Sequence, residues 1–364
     1  MSMALLMTLL GVPLAEVITM GPGDELFTHF GHAAICIGES RSGSERELGP
    51  EARCFNYGTA DFSTPVPLTY RLLRGQASFW VSVWPRQRMI EAYEREDRSV
   101  YVQTLPLSPE QLRRLMGALE DSLSKEKRFY RYHHFRDNCT TRIRDVVDVS
   151  LGGRLRSATS TVTVGRTYRD YAREGLGSSS LLLFVTDLVV GRPADEVMSE
   201  WDAMFLPRDF QRSLERFAPA REIYQRKSQL PSASIPGVFV FAAIGLALGL
   251  LTHLGRVGSI AATLAVVLMG LLIEALALLS SFRELRFNEA LLVITASDVV
   301  FLSRRAWVRK YVLARFAGLG LIAAGGFTGL FVQPLTGPIL LVLPTLVAQL
   351  VARASEAGKR KIGS

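Results

Sequence analysis

The sequence predicts an α+β domain followed by an all-α transmembrane bundle of about five helices. Three observations carry that reading. Between residues 32 and 123, short runs rich in β-branched and aromatic residues alternate with stretches of helical period. From Pro236 onward the 364-residue chain turns apolar, in runs longer than a soluble core needs. Strongly basic stretches lie between and after those runs, as they do on the inner side of a membrane.

Taken in order, ALLMTLLGVPLA (4–15) is an apolar stretch that ends in a small residue. It suits the h-region of a secretory signal, although no basic segment precedes it. Residues 1–15 are therefore expected to be a signal peptide cleaved near Ala15, or a retained N-terminal anchor. Strands are expected at HAAICIG (32–38), ARCFNYG (52–58), SFWVSVW (78–84) and YVQTLPL (101–107). RQRMIEAYERED (86–97) has helical period. SPEQLRRLMGALEDSL (108–123) is a helix with Ser108 as N-cap, Pro109 in the first turn and Glu110 after it. These elements make up a domain over 16–153. A mainly helical extension follows over 154–234. Within it, SLLLFVTDLVVG (180–191) is too short to span a bilayer and is expected in a core or at the membrane interface.

The membrane part is expected over 235–352. IPGVFVFAAIGLALGLLTHL (235–254), GSIAATLAVVLMGLLIEALALLS (258–280), VLARFAGLGLIAAGGFTGLFV (312–332) and TGPILLVLPTLVAQLVA (336–352) can each cross hydrocarbon. NEALLVITASDVVFLS (288–303) is shorter and holds Asp298. The basic SRRAWVRK (303–310) and the basic tail over 353–364 both belong on the cytoplasmic side, which requires 288–303 to cross as well. Five crossings then place residues 16–235 outside the cytoplasmic membrane and the C-terminus inside. The net charge of +8 mostly reflects these anchors, so no nucleic-acid partner is expected.

There are three cysteines, an odd number. Cys36 and Cys54 lie in strand-like stretches and could pair, although spacing alone does not decide it. Cys139 would then be the free thiol. It stands in HHFRDNCTTRIRDVVDV (133–149), after Asp137 and Asn138, both favoured helix N-caps. A helix beginning there puts Cys139, Ile143, Val146 and Val147 on one face and points the thiol inward. The first helical turn also favours a thiolate, through the helix dipole and its unsatisfied N–H groups. The plainer reading is a small buried apolar residue. His32 opens the 32–38 strand, where its imidazole could act as base toward such a thiol, or could be an ordinary half-buried histidine. His29, His32, His133 and His134 match no zinc-ligand spacing, so neither metal nor cofactor is expected.

A histidine opening a strand, followed by an Asn-Cys opening a helix, resembles the permuted papain-like (NlpC/P60-like) enzymes, which include the lecithin:retinol acyltransferases. GPGDELFTHFGHAAICI (21–37), FNYGTADF (55–62), YHHFRDNCTTRIRD (132–145) and GRPADEVMSEWDAMFLPRDF (191–210), with a multi-span tail, are similar to the Lnb-type bacterial lipoprotein N-acyltransferases. That resemblance implies a permuted papain-like domain in which Cys139 is the nucleophile and His32 the base. The group orienting the imidazole would come from the strand after the histidine, where Asn56 is the first choice and Asp61 the second. Arg136, Arg142 and Arg144 flank the motif. They could form an exposed helix face paired with Asp145 and Asp148, or contact a phosphate headgroup, with Arg142 the first choice. Tyr57 and Asp137 lie in the matched motifs as further site-shaping residues. The implied partners are a membrane phospholipid as acyl donor and diacylglyceryl-modified lipoproteins as acceptors. A phospholipase, a papain-like hydrolase of cell-wall peptides and a non-catalytic membrane receptor are the alternatives. Nothing in elementary chemistry explains the need for the 191–210 stretch.

Overall fold

The computed structural model describes residues 12–40, 47–231 and 234–362. Two compact units divide the chain, residues 1–166 with 197–231, and residues 167–196 with 232–364.

The first unit is built on β1 (Pro13–Met20), β2 (His32–Glu39), β3 (Arg53–Thr59), β4 (Ser78–Pro85), β5 (Val100–Thr104), β6 (Phe129–Arg131), β7 (Thr163–Thr167), β8 (Val197–Ser199) and β9 (Arg221–Tyr224). Seven of them form one antiparallel sheet in the order β6-β4-β3-β2-β1-β5-β9, and β7 pairs with β8. Its helices are α1 (Pro65–Leu73), α2 (Arg86–Arg95), α3 (Pro109–Asp121) and α4 (Cys139–Ser150), with shorter ones after them. Side chains alternate across a strand, so β2 feeds two cores. Ala33, Ile35 and Ile37 join Phe55, Tyr57, Phe79 and Val81 beneath α3 and α4, which contribute Leu112, Leu115, Ile143 and Val147. Ala34 and Cys36 join Ile18, Met20, Val100 and Val102 beneath α2, which contributes Met89 and Ile90. Each fully buried side chain of this size contributes roughly 1.5–3 kcal/mol.

The four expected strands and the helices over 86–97 and 108–123 form within a few residues of their expected bounds. Ser108 caps α3 by accepting the Gln111 N–H. β1 is an addition. It lies between β2 and β5 at the middle of the sheet, and the expected domain border at residue 16 falls inside it. Residues 1–11 of the expected signal segment lie outside the described residues, whereas Pro13, Leu14 and Ala15 open this strand. Glu16 in the same strand is wholly buried. It is paired with Arg86 at 2.8 Å and accepts the Leu48 N–H, which makes burial of its charge tolerable.

The expected helical extension is divided. Residues 197–231 return to the first unit, where β9 closes the sheet beside β5 and helix Pro207–Leu214 contributes Phe210 and Leu214 to the core beneath α4.

In the second unit, among the described residues, three helices are long and apolar enough to cross a membrane. They are Arg256–Leu279, Val308–Phe327 and the Thr336–Ser355 part of Thr336–Ile362. Gly237–His253 and Ser180–Val189 are shorter apolar helices. The expected fifth crossing helix does not form. Residues 288–303 make two 3-10 helices instead, Glu289–Leu292 and Ala296–Leu302. The cause is local. Thr295 caps Ser297, and Arg315 of Val308–Phe327 holds Asp298 at 2.9 Å and donates to the carbonyls of Leu292 and Val293. Gly270 lets the backbone approach, since a Cβ there would stand 2.8 Å from the Ile294 carbonyl oxygen. One end of the segment bonds to Gln333, just before the last helix, through Asn288 and Glu289. The other end gives the Phe301 and Ser303 carbonyls to Arg353, roughly 25 Å further along that helix at 1.5 Å per residue. The segment therefore runs most of the length of the bundle without being an α-helix.

Candidate active site

The thiol is placed by the start of α4. Asn138 is the N-cap, and its Oδ1 accepts the N–H groups of Thr140 and Thr141, both at 2.9 Å. Thr141 Oγ1 accepts the Asn138 N–H at 2.8 Å, which completes a reciprocal cap. The Arg142 N–H goes to the Asn138 carbonyl. The cap therefore leaves the Cys139 N–H untaken, beside its own sulfur. Asn138 also donates from Nδ2 to the carbonyls of His134 at 2.7 Å and Phe205 at 2.9 Å. Phe205 lies in the 191–210 stretch, and its ring packs on Phe135 and His134. Trp201 in the same stretch receives Arg144 over its ring at 4.0 Å and accepts a hydrogen bond from it at 3.0 Å. Part of that motif is thus explained, because it holds α4 and its cap.

His32 opens β2 opposite Met20. Gly31 before it has φ +79, and a Cβ there would lie 2.7 Å from the Met20 carbonyl oxygen. Only glycine lets the chain turn so tightly into the strand. The His32 side chain is hydrogen-bonded to the Cys139 thiol, and Ala33 adds a backbone hydrogen bond to the sulfur. Thr140 Oγ1 lies 3.7 Å from it. Cys139 is buried, and burial alone would push its pKa up. The imidazole beside it and the bonds from His32, Thr140 and Ala33 outweigh that and bring it down to about 7. The ordinary thiol value is about 8.5.

The ring of His32 is stacked on Tyr93 of α2, with centroids 6.0 Å apart and planes 23° apart. Arg98 lies over the other ring system of this stack, 4.7 Å from the Tyr93 centroid. Tyr93, Tyr130 and Tyr132 all have their pKa raised, first by burial, with the negative charge of Cys139 next for Tyr130 and Tyr132 and behind Glu96 for Tyr93. Three neutral phenols therefore border the thiol. Sequence reasoning missed all three, because a tyrosine in a helix or a short strand reads as core.

Other expected site residues stand as follows. Asn56 is buried on β3, but its Nδ2 donates to the Cys54 carbonyl at 3.2 Å and no bond to His32 is found among the described residues. Asp61 is exposed and accepts from the N–H and hydroxyl of Ser63. Among the described residues neither side chain is hydrogen-bonded to the imidazole. Tyr57 is buried beside Ser122 and Arg142. Arg142 makes a two-pronged ion pair with Asp137 at 2.6 and 2.9 Å and covers the Tyr130 ring at 3.7 Å. Its guanidinium is thus engaged within the protein. Arg144 pairs with Asp145, while Asp148 accepts the Arg156 N–H. Cys36 and Cys54 face each other across β2 and β3 and form a disulfide, which leaves Cys139 as the free cysteine. His29 bonds to the Asp24 carbonyl, and His133 accepts the Phe135 N–H. Among the described residues no three His, Cys, Asp or Glu side chains gather as metal ligands.

An antiparallel sheet brings an imidazole beside a buried thiol in the first turn of a helix, and the same chain carries apolar helices long enough to cross a membrane. Residues 12–173 match the family model described as the Lnb N-terminal periplasmic domain. The resemblance carried by FGHAA and RDNCTTRIRD therefore holds over this domain. A periplasmic domain and apolar helices fit a multi-pass inner-membrane protein. The match ends before residues 197–231, which complete the sheet and brace α4. No curated protein and no solved structure matches the chain.

Proposed function

We propose that this protein is a membrane-bound lipoprotein N-acyltransferase of papain-like type, with Cys139 as nucleophile and His32 as base. The observation that carries the reading is the hydrogen bonding between His32 and a thiol in the first turn of α4, whose pKa is brought down to about 7. At neutral pH about half of such thiols carry the negative charge, and His32 as base takes the proton of the rest. The thiolate attacks an ester carbonyl of a membrane phospholipid. The developing oxyanion lies within reach of the Cys139 N–H, which the cap leaves untaken. The C–O bond breaks, and the lysophospholipid leaves with the proton from His32. A thioester remains on Cys139. The α-amine of a diacylglyceryl-modified N-terminal cysteine then attacks it. His32 takes the amine proton, the C–S bond breaks and an amide forms. Two half-reactions at one sulfur require ping-pong kinetics. Apolar helices suit this chemistry, since donor and acceptor are both lipids. On this reading residues 16–235 face the periplasm and the tail lies in the cytoplasm.

Replacing Cys139 with Ala tests it. Mass spectrometry of lipoprotein N-terminal peptides should show loss of N-acylation while the protein stays in the membrane. Undiminished N-acylation ends the proposal. Free fatty acid from labelled phospholipid, without amide, would make the protein a hydrolase instead.

A further inference from the structure

A cavity of about 350 Å³ lies between α1 and β4 in the first unit, lined by Asp61, Thr64, Leu68, Arg71, Gln76, Ser78 and Trp80. Its walls follow from periodicity. Thr64, Leu68 and Arg71 fall on one face of α1 and its cap, and Gln76, Ser78 and Trp80 alternate along the extended chain entering β4. Buried Leu68 closes the inner end.

The polar groups here differ from the many arginines and carboxylates elsewhere in the domain. Arg53, Arg86, Arg98, Arg142 and Arg144 are each bound to a carboxylate. Among the described residues Arg71 has no ion pair or hydrogen bond through its guanidinium. Asp61 spends Oδ1 on Ser63 and leaves Oδ2 open. Those bonds from Ser63 hold its carboxyl below the usual range, so it is charged at neutral pH. Thr64 does not cap α1 with its hydroxyl. The half-buried Trp80 adds an indole face, which attracts cations.

We propose that this cavity receives the zwitterionic headgroup of a phospholipid, its phosphate on Arg71 and its ammonium on Asp61 and the Trp80 ring. A purely anionic group would meet the Asp61 carboxylate, whereas a paired phosphate and ammonium satisfy both charges. Hydroxyls and an amide from Thr64, Ser78 and Gln76 supply further bonds to phosphate oxygens. Exposed Phe62, Val66 and Tyr70 on the adjoining turn and helix give an apolar neighbour for acyl chains. The cavity lies near the thiol along the sheet. Trp80 pairs with Thr59, and the preceding Gly58 lies against Cys139. With paired strands about 5 Å apart and neighbouring Cα atoms 3.8 Å apart, Trp80 stands on the order of 12 Å from Cys139. A glycerol backbone together with the Arg71 side chain covers that span. The role of donor headgroup rests on the acyl-transfer reading, and Arg71 takes the place expected for the engaged Arg142.

The test uses the full chain in detergent with Cys139→Ala, titrated with glycerophosphoethanolamine, which has no acyl chains. Saturable binding is expected, weakened at least tenfold by Arg71→Gln and by Asp61→Asn, with glycerophosphoglycerol at least tenfold weaker than the zwitterion. Absence of saturable binding, binding indifferent to either substitution, or equal binding of the two headgroups overturns the proposal. A kinetic arm with the Cys139 protein reads thioester formation by intact mass. Arg71→Gln should slow transfer from phosphatidylethanolamine at least tenfold more than transfer from an acyl ester lacking a headgroup, and an unchanged ratio counts against the cavity. If no donor acylates Cys139, the transferase reading fails, and the titration alone judges the cavity.

Discussion

Gly58 lies directly against Cys139. Its φ is +83, and a Cβ placed on it would stand 3.2 Å from the Cβ of the cysteine. The end of β3 therefore fixes how closely α4 approaches the sheet. Gly58→Ala combines a left-handed alanine, which costs about 1–2 kcal/mol, with that tight contact. The expected result is a lower midpoint of thermal unfolding and slower alkylation of Cys139, because the thiol moves away from His32. An unchanged alkylation rate would show that this approach does not set the site.

Cys139 should react with iodoacetamide along a pH curve centred near 7, its pKa beside His32. The curve belongs to the thiol–imidazole pair as a unit. His32→Ala leaves burial unopposed by the imidazole and should move the midpoint upward. The folded value lies below the unfolded value of about 8.5. The stabilisation from this group is therefore complete above about 8.5 and is lost as pH falls through 7. A midpoint that ignores the substitution would mean the imidazole does not act on the sulfur.

Asn138 carries two kinds of bond that can be separated. Asn138→Asp keeps an acceptor for the Thr140 and Thr141 N–H groups but loses the donor to the His134 and Phe205 carbonyls. Asn138→Ala loses both. Cap loss costs about 0.5–2 kcal/mol, and each stranded buried carbonyl about 1–3 kcal/mol more. Denaturant unfolding should rank wild type above Asp and Asp above Ala. Equal stability of Asp and wild type would remove the bond to Phe205 from the account of the 191–210 stretch.

Without reductant, denatured protein should take up one alkyl group, at Cys139, and after reduction three. Replacing Cys36 and Cys54 together with Ser should lower stability by about 2–4 kcal/mol. Three groups taken up before reduction would refute the Cys36–Cys54 bridge.

In the second unit, Arg315→Met strands a carboxylate that is 2 % exposed and two carbonyls of the non-helical segment. Breaking such a pair costs about 3–5 kcal/mol, whereas Asp298→Asn with Arg315→Met removes the charge on both sides. Thermal unfolding in detergent should show the single variant well below wild type and the double variant between them. Identical single and double variants would mean the charge pair does not hold residues 288–303.

Local chemistry made much of this protein legible from its residues. The strands over 32–38, 52–58 and 78–84 show through short runs of β-branched, aromatic and other apolar residues, α3 through Ser108 and Pro109, and the start of α4 through Asp137 and Asn138. Each signal lies within a few positions of the element it specifies. β1 was hidden because PLAEVITM continues an apolar N-terminal run, so a central strand looks like part of a leader. Residues 288–303 were misread as a helix because length and hydropathy do not register an arginine that arrives from another helix.

The amino-acid sequence by itself determined which cysteine opens a helix, which histidine opens a strand, and where the long apolar stretches lie. Those features depend on caps, periodicity and composition, all of them short-range along the chain. Tertiary structure alone decided that Tyr93 rather than Asn56 flanks the imidazole, that Arg142 is held by Asp137, and that Phe205 steadies the cap of α4. These contacts join residues far apart in the chain, and their geometry exists only after the sheet has brought its strands into register.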